Sequence, residues 1–308
     1  MDPLSDVLSL LKPRSFVSDG FDAAGDWSVS FANQQRTIKC HAVVAGECWL
    51  AVDGAAKPVR LATGHCFVLP KGRDFRLATD LNLEPVDSAR IFGSAREGGV
   101  VSHNGGGEFY LVGSRFEVSG IHASILLEMM PLIVHVSKKA DQEVIRWSVE
   151  RMMAEMRDQN PGGRLVVQHL SRMMLLQALR LHLAELPAGG VGWLCALADT
   201  QIGPVINSLH KDPARAWTLH ELAALARMSR SGFALRFKEV VGVSPMDYLT
   251  RWRMLLAGDR LGASKEPIAE IAASLGYESE SGFSNAFKRV MGSSPREYGR
   301  NHTTHMLG

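Results

Sequence analysis

The chain is 308 residues long and 46% hydrophobic, with 34 Lys and Arg against 32 Asp and Glu for a formal net charge of +2. Length and apolar content suffice for two domains with cores of their own and exclude a largely disordered chain. The near balance of charge means that any basic surface must be local.

The N-terminus places Asp2 and Asp6 ahead of a short apolar stretch, without the basic start or small-residue cleavage site of a secretory leader, so a cytoplasmic protein is expected. Short runs rich in Val, Ile, Phe and Leu follow at 27–31, 41–44, 48–52, 59–61, 66–69, 74–78 and 108–113, separated by Gly, Asp, Asn and Pro. Such spacing predicts an antiparallel sandwich or small barrel. The apolar stretch 121–136 is broken by His, Glu and Pro short of the roughly 18 residues a membrane-spanning helix requires. From Asp141 the period changes to about 3.6, with Val144, Trp147, Met152 and Met156 on one predicted helix and Val167, Leu170, Met174, Ala178 and Leu181 on the next. That second helix, 164–186, carries another apolar row, Leu176, Leu179, Leu183 and Leu186, which reads either as core or as a face for a second subunit. Met129-Met130, Met152-Met153 and Met173-Met174 read as core filler. Pro187 to Gly190 is the natural hinge before a C-terminal helical unit.

The C-terminal part contains an internal repeat. Ser231, Gly232, Phe233, Phe237, Lys238, Val240, Gly242, Ser244, Pro245 and Tyr248 recur as Ser281, Gly282, Phe283, Phe287, Lys288, Val290, Gly292, Ser294, Pro295 and Tyr298, at a constant offset of 50 residues. Upstream, Glu221-Leu222-Ala223-Ala224 matches Glu270-Ile271-Ala272-Ala273 with a slip of one residue. Each copy reads as a short helix, a tight turn and a second helix stopped by Gly-x-Ser-Pro, which is a helix-turn-helix. Thr218 and Glu221 form a capping box, and Gly276 suits a turn of positive φ. Six basic residues (Arg227, Arg230, Arg236, Lys238, Arg251, Arg253) oppose Glu239 and Asp247 around the first copy, and four (Lys288, Arg289, Arg296, Arg300) oppose Glu297 around the second. Local positive charge at the second helix of each copy is what duplex phosphates require. Residues 245–261 read as one connecting helix of about 26 Å, long enough to set two reading helices roughly one DNA turn apart.

These motifs, with Ser229-Arg230-Ser231-x-Phe233, Phe237-Lys238, Gly242-x-Ser244-Pro245-x-x-Tyr248, Ile268-x-x-Ile271-Ala272-x-x-x-Gly276-Tyr277 and Gly292-x-x-Pro295-x-x-Tyr298, resemble the AraC/XylS transcriptional regulators over about residues 200–300. The resemblance implies a regulator, usually an activator, that binds double-stranded promoter DNA and contacts RNA polymerase. It places base reading at Arg230, Ser231, Ala234 and Leu235 in the first copy and at Glu280, Ser281, Ser284 and Asn285 in the second, with Arg236, Lys238, Lys288 and Arg289 on phosphates. Arg230 then suits guanine, Asn285 adenine and Ala234 a thymine methyl, while Leu235 departs from the polar residue common at its position. Residues 64–75 resemble the second cupin motif, with Phe75 where a metal-binding histidine belongs. His41 stands alone near the first motif, so the resemblance is to cupin-like sensor domains rather than to a metal-dependent cupin enzyme.

An α+β protein is therefore expected: a cupin-like barrel or sandwich over 10–140 for sensing and dimerisation, linking helices over 141–187, and an all-α tandem helix-turn-helix domain over 195–302. Arg36, His41, Trp49 and Arg73 are candidates for a small-molecule effector pocket. Cys40, Cys48 and Cys66 are candidates for an oxidant switch, Cys40 and Cys48 sharing a face if the strand is regular; otherwise the four cysteines, which form no CxxC pair, are buried thiols. No metal or cofactor is expected. HExxH, GxSxG, P-loop and dinucleotide-binding motifs are absent from the sequence, so catalysis is not indicated. The alternative function is a protein-interaction module on the same helical fold.

Overall fold

In a computed structural model, residues 2–12, 14–35, 37–93, 99–118, 121–158, 160–186, 190–264 and 266–305 are described. The chain opens with α1 (Pro3–Leu11), followed by β1 (Arg14–Ala23), β2 (Ser28–Phe31), β3 (Thr37–Ala45), β4 (Glu47–Val52), β5 (Val59–Ala62), β6 (Cys66–Leu69), β7 (Phe75–Ala78) and β8 (Val86–Asp87). Then come α2 (Ser88–Phe92), β9 (Val100–His103), β10 (Phe109–Glu117), α3 (Ile121–Met129), β11 (Val134–Val136), α4 (Lys139–Asp158) and α5 (Gly163–Glu185). All seven predicted strands are present, and the α+β class holds. Four strands beyond them, β1, β8, β9 and β11, complete two sheets of order β11-β6-β3-β10-β1-β9 and β5-β4-β7-β2-β8. The sheets are mixed rather than purely antiparallel, because β1 pairs with β9 and β2 with β8 in parallel.

Two compact units divide the chain: Pro13–Ser119 with Met130–Glu185, and Met1–Lys12 with Gly120–Met129 and Leu186–Gly308. In the strand-rich unit the core gathers Trp27, Val43, Leu50, Phe67, Leu77 and Leu111 from both sheets. Gly46 lets the chain pass from β3 to β4: its φ is 78°, and a Cβ there would lie 2.4 Å from the Glu108 carbonyl oxygen. Helix α5 lies on the six-stranded sheet, where Ser171 Oγ donates to the Val167 carbonyl at 2.8 Å and Ser114 Oγ lies 2.5 Å from Ser171 Oγ. A buried hydroxyl pair satisfied this way costs little.

The helical unit contains α1, α3, α6 (Trp193–Ala198), α7 (Ile202–Lys211), α8 (Leu219–Leu225), α9 (Arg230–Val241), α10 (Pro245–Ala263), α11 (Ile268–Ser274), α12 (Glu280–Met291) and α13 (Pro295–His305). Helix α1 was not anticipated. Asp2 accepts from the Ser5 amide, Pro3 takes the first turn, and Leu4, Val7, Leu10 and Leu11 are buried. No helix among the described residues is long and apolar enough to cross a membrane.

Candidate nucleic-acid interface

The caps, the phenylalanine anchors and the stops have the same physical task in both copies. Ser229 Oγ accepts from the Gly232 amide at 3.2 Å to start α9, and Ser279 Oγ accepts from the Gly282 amide at 3.2 Å to start α12. Phe233 with Phe237, and Phe283 with Phe287, are wholly buried one turn apart. Gly242 and Gly292 end the helices in the left-handed region, at φ of 88° and 78°. Ser244 and Ser294 then accept from the amides of Asp247 and Glu297, and Pro245 and Pro295 begin the next helices. Tyr248 closes edge-on against Phe237 at 5.8 Å, as Tyr298 does against Phe287 at 5.4 Å.

The turns explain the one-residue slip. The first helix of copy one starts in a complete Thr218/Glu221 capping box and ends at Leu225, with Arg227 in the following turn at a φ of 55°. In copy two the equivalent position is Gly276, at φ 80°, where a Cβ would meet the Ala214 carbonyl oxygen at 2.0 Å. Glycine is required there by both conformation and space.

These constraints aim the remaining side chains outward. Arg230, Ser231, Leu235, Glu280, Ser281 and Asn285 are exposed, and Ala234 and Ser284 are half-buried between them. Lys238, Lys288 and Arg289 are exposed toward the C-terminal ends of the same helices. Arg236 differs from expectation: its guanidinium meets Asp199 at 3.1 Å. Burial pushes the Asp199 carboxyl up, but the amides of Ile202 and Gln201 and then Arg236 hold it below the usual range, so this cation is already neutralised. Arg253, another of the basic residues around the first copy, donates to the carbonyls of Pro213 at 2.6 Å and Arg215 at 2.9 Å, stitching the loop before α8. The sequence pattern marks both as basic and is blind to acceptors dozens of residues away.

Sequence reasoning also missed the polar chain beneath α10. Trp193 Nε1 donates to Tyr248 Oη at 2.9 Å, Tyr248 Oη lies 2.8 Å from His210 Nε2, and His210 Nδ1 lies 3.2 Å from Asp6 Oδ2. Since Trp donates only, the consistent assignment has Tyr248 donating to a neutral His210, which donates from Nδ1 to Asp6. Burial drives the His210 imidazole down to about 3, and Trp252 stacks on it at 3.8 Å. The four partners are scattered from residue 6 to 248, and only Tyr248 lies in the repeat.

Known proteins match this organisation. Residues 2–184 match the family model described as Cupin, and residues 222–301 that described as Helix-turn-helix domain. A protein named as an AraC-like transcription regulator of Streptomyces antibioticus is 42% identical over 278 residues, 90% of this chain and 91% of that relative. The chain belongs to the AraC-like transcriptional regulators. The regulator AlkR of Acinetobacter baylyi is 27% identical to it over 263 residues, 82% of this chain and 84% of its own. Among solved structures, the DNA-binding domain of AdpA in complex with a target DNA covers 34% of this AraC-like chain and 95% of its own, at 28% identity and a TM-score of 0.33. ToxT from Vibrio cholerae O395 covers 93% of this chain and 96% of its own, at 15% identity and a TM-score of 0.34. The relatives are transcription regulators, a non-enzymatic family, and this AraC-like regulator has a helix-turn-helix DNA-binding domain.

In the cupin part of this AraC-like regulator the sensing candidates do not converge. Arg36 lies outside the described residues. His41, 8% exposed on β3, stacks on Phe67 at 5.5 Å and is driven down to about 3 by burial and then by Lys39, so it is a neutral core residue. Trp49 is 37% exposed on β4 in the other sheet, and Arg73 is exposed in the turn between β6 and β7. None of the three lines the open hollow of ≈ 370 Å³ bordered by Phe31, Asp53, Asp74, Phe75 and Arg76. Phe75 is stacked on Phe31 at 4.4 Å, so the position where a cupin metal ligand would stand is an aromatic floor that does not fit a metal. Among the described residues no three His, Cys, Asp or Glu side chains are placed to hold one.

Cys40, Cys48 and Cys66 follow the buried-thiol reading, and Cys40 and Cys48 do not share a face. Cys48 joins the core between the sheets, whereas Cys40 lies on β3 and interacts with Cys66, because the chain changes sheets at Gly46. All three are buried. The Cys66 contact and burial hold Cys40 well above the ordinary thiol range, and burial pushes Cys48 up to about 12. Thiols held this way are poor nucleophiles at neutral pH.

Proposed function

We propose that this AraC-like regulator reads two adjacent major-groove segments of promoter duplex per chain, with α9 and α12 as the reading helices. One observation carries the reading: two helices with the same cap, the same buried phenylalanine pair and the same left-handed stop expose equivalent faces, joined through a 19-residue α10 of about 28 Å. Arg230, Ser231, Ala234 and Leu235 face bases in one segment and Glu280, Ser281, Ser284 and Asn285 in the next, while Lys238, Lys288 and Arg289 sit on phosphates. Residues 195–302 thus read DNA, residues 10–140 sense, and residues 141–187 link and pair two chains. The homodimer is supported by Trp147 on α4, 57% exposed, and Leu165 on α5, 62% exposed, large apolar side chains left in water in the single chain. A small organic effector occupies the hollow over Phe31 and Phe75, and the cytoplasmic dimer activates transcription through RNA polymerase.

Fluorescence anisotropy with a duplex selected from a random pool by the full chain tests this. Binding weakens steeply as salt rises, and Asn285→Ala costs about 1–3 kcal/mol on the selected duplex but nothing on unrelated DNA. Failure to select any duplex, or affinity indifferent to salt, overturns the reading in favour of a protein-interaction module.

A further inference from the structure

Three histidines of the strand-rich unit gather at the β11 edge of the six-stranded sheet. His65 lies in the turn between β5 and β6, His135 on β11, and His182 on α5, which packs on β11. His65 Nδ1 and His135 Nε2 face each other at 3.1 Å. Their ring planes cross at 60° with centres 5.0 Å apart, closer than two imidazoles joined head-on through a contact of that length, so the two nitrogens converge toward one side. Burial, and then His65 and His182, drive His135 down to about 4, and burial lowers His65, so both rings are neutral at neutral pH. A neutral imidazole carries one proton; with it on His65 Nε2 and on His135 Nδ1, both facing nitrogens offer lone pairs.

Two nitrogens at about 2.0–2.1 Å from one ion stand about 2.9 Å apart in a square and about 3.3 Å apart in a tetrahedron. The observed 3.1 Å falls between the two. We infer that His65 Nδ1 and His135 Nε2 together bind one divalent metal ion of the kind imidazole prefers, copper or zinc. Magnesium and calcium, which take oxygen ligands, do not suit the pair. Among the described residues no third His, Cys, Asp or Glu completes a set with these two, so water fills the rest of the shell. Glu185, one turn beyond His182, is taken by Lys138 at 3.3 Å. The place is distinct from that of a cupin metal, which Phe75 fills on β7 of the other sheet. An ion held here fastens the three-residue edge strand β11 to the turn before β6, in addition to the backbone pairing of His135 with Phe67.

Titration of the full chain, stripped of metal by a chelator, with copper(II) tests this. At one equivalent, electron paramagnetic resonance is expected to show two imidazole nitrogens on the copper. His65→Gln and His135→Gln should each weaken copper binding about tenfold or more, while His182→Gln keeps it within about twofold. His65 is half-buried in a turn, so its variant should retain the metal-free melting curve. Zinc supplies a second readout: at about ten times its dissociation constant, peptides spanning β11 should exchange hydrogen about tenfold more slowly, and those of α9 and α12 at unchanged rates. Copper bound without imidazole, copper affinity that survives both His65→Gln and His135→Gln, an equal loss in His182→Gln, or zinc without effect on β11 overturns the inference.

Discussion

Tyr248→Phe removes one oxygen from the middle of a buried hydrogen-bonded chain. The Tyr248 hydroxyl accepts from Trp193 Nε1 at 2.9 Å and faces His210 Nε2 at 2.8 Å, and Tyr248 and Trp193 are almost fully buried. The phenyl ring left by the substitution keeps the edge-on contact that Tyr248 makes with Phe237, so the loss is confined to two polar atoms left without partners. Each orphaned buried group costs about 1–3 kcal/mol, giving about 2–6 kcal/mol for the pair. A chain of two compact units has no single unfolding free energy, so a local readout is needed. Hydrogen exchange of the full chain, followed by mass spectrometry, supplies one. Peptides from α6, α7 and α10 are expected to exchange about thirtyfold faster or more, as about 2 kcal/mol or more of local stability is lost. Peptides from β3, β4 and β7 keep their rates. Unchanged exchange in α7 and α10, or a uniform rise across both units, refutes the assigned polar chain.

Acid offers an independent check on the same histidine. Its folded value of about 3 lies below the ordinary 6.5, so the unfolded chain takes up a proton that the folded chain refuses. His210 therefore costs nothing above pH 6.5, and stability falls by about 1.4 kcal/mol per pH unit as pH drops below it. The His210 ring resonance should stay in its neutral position from pH 7.5 to 5, and a titration near 6.5 contradicts the burial argument. Gly276→Ala forces a Cβ onto the Ala214 carbonyl and a left-handed alanine, so it should unfold the second copy's turn and abolish duplex binding, whereas Arg227→Gly, at the looser equivalent, should leave the melting temperature within a few degrees; equal effects would refute the distinction. Ser229→Ala and Ser279→Ala should each cost about 1 kcal/mol of local stability through loss of the cap, read as about fivefold faster hydrogen exchange in peptides from α9 and α12 respectively, and unchanged exchange would deny the caps their role. Trp147→Glu with Leu165→Glu should leave a monomer in sedimentation equilibrium, and a dimer that survives both removes α4 and α5 from the interface.

Much of this was legible from local pattern. The seven alternating runs became strands, and the repeat resolved both helix pairs because caps, phenylalanine anchors and stop signals are short-range devices. Strand β1 carries an irregularity, with its register shifting between Ser18 and Phe21, and lacks the unbroken alternation by which a strand is read from sequence. Helix α1 is signalled locally by Asp2, Pro3 and the Leu4/Val7/Leu11 spacing. Long-range partnerships were beyond reach: Asp199 claims Arg236, three loop carbonyls claim Arg253, and Asp6 joins His210 across 204 residues. Counting charges locates a basic segment but cannot say which cation is already paired with a carboxylate, as Arg236 is, or held by loop carbonyls, as Arg253 is. His41, Trp49 and Arg73 were grouped by side-chain chemistry alone, although His41 and Trp49 belong to different sheets and Arg73 to a turn.

Whether α9 and α12 enter consecutive grooves is most directly measured by guanine N7 methylation protection on a selected duplex, combined with hydroxyl-radical footprinting of the sugars. Per chain, protection in two major-groove patches about one helical turn apart on one face of the duplex is the expected result. With α12 disabled by Asn285→Ala and Ser284→Ala, the patch beneath it fades while the other stays. A single protected patch in the unaltered protein, or two patches that vanish together when only one helix is changed, contradicts the account.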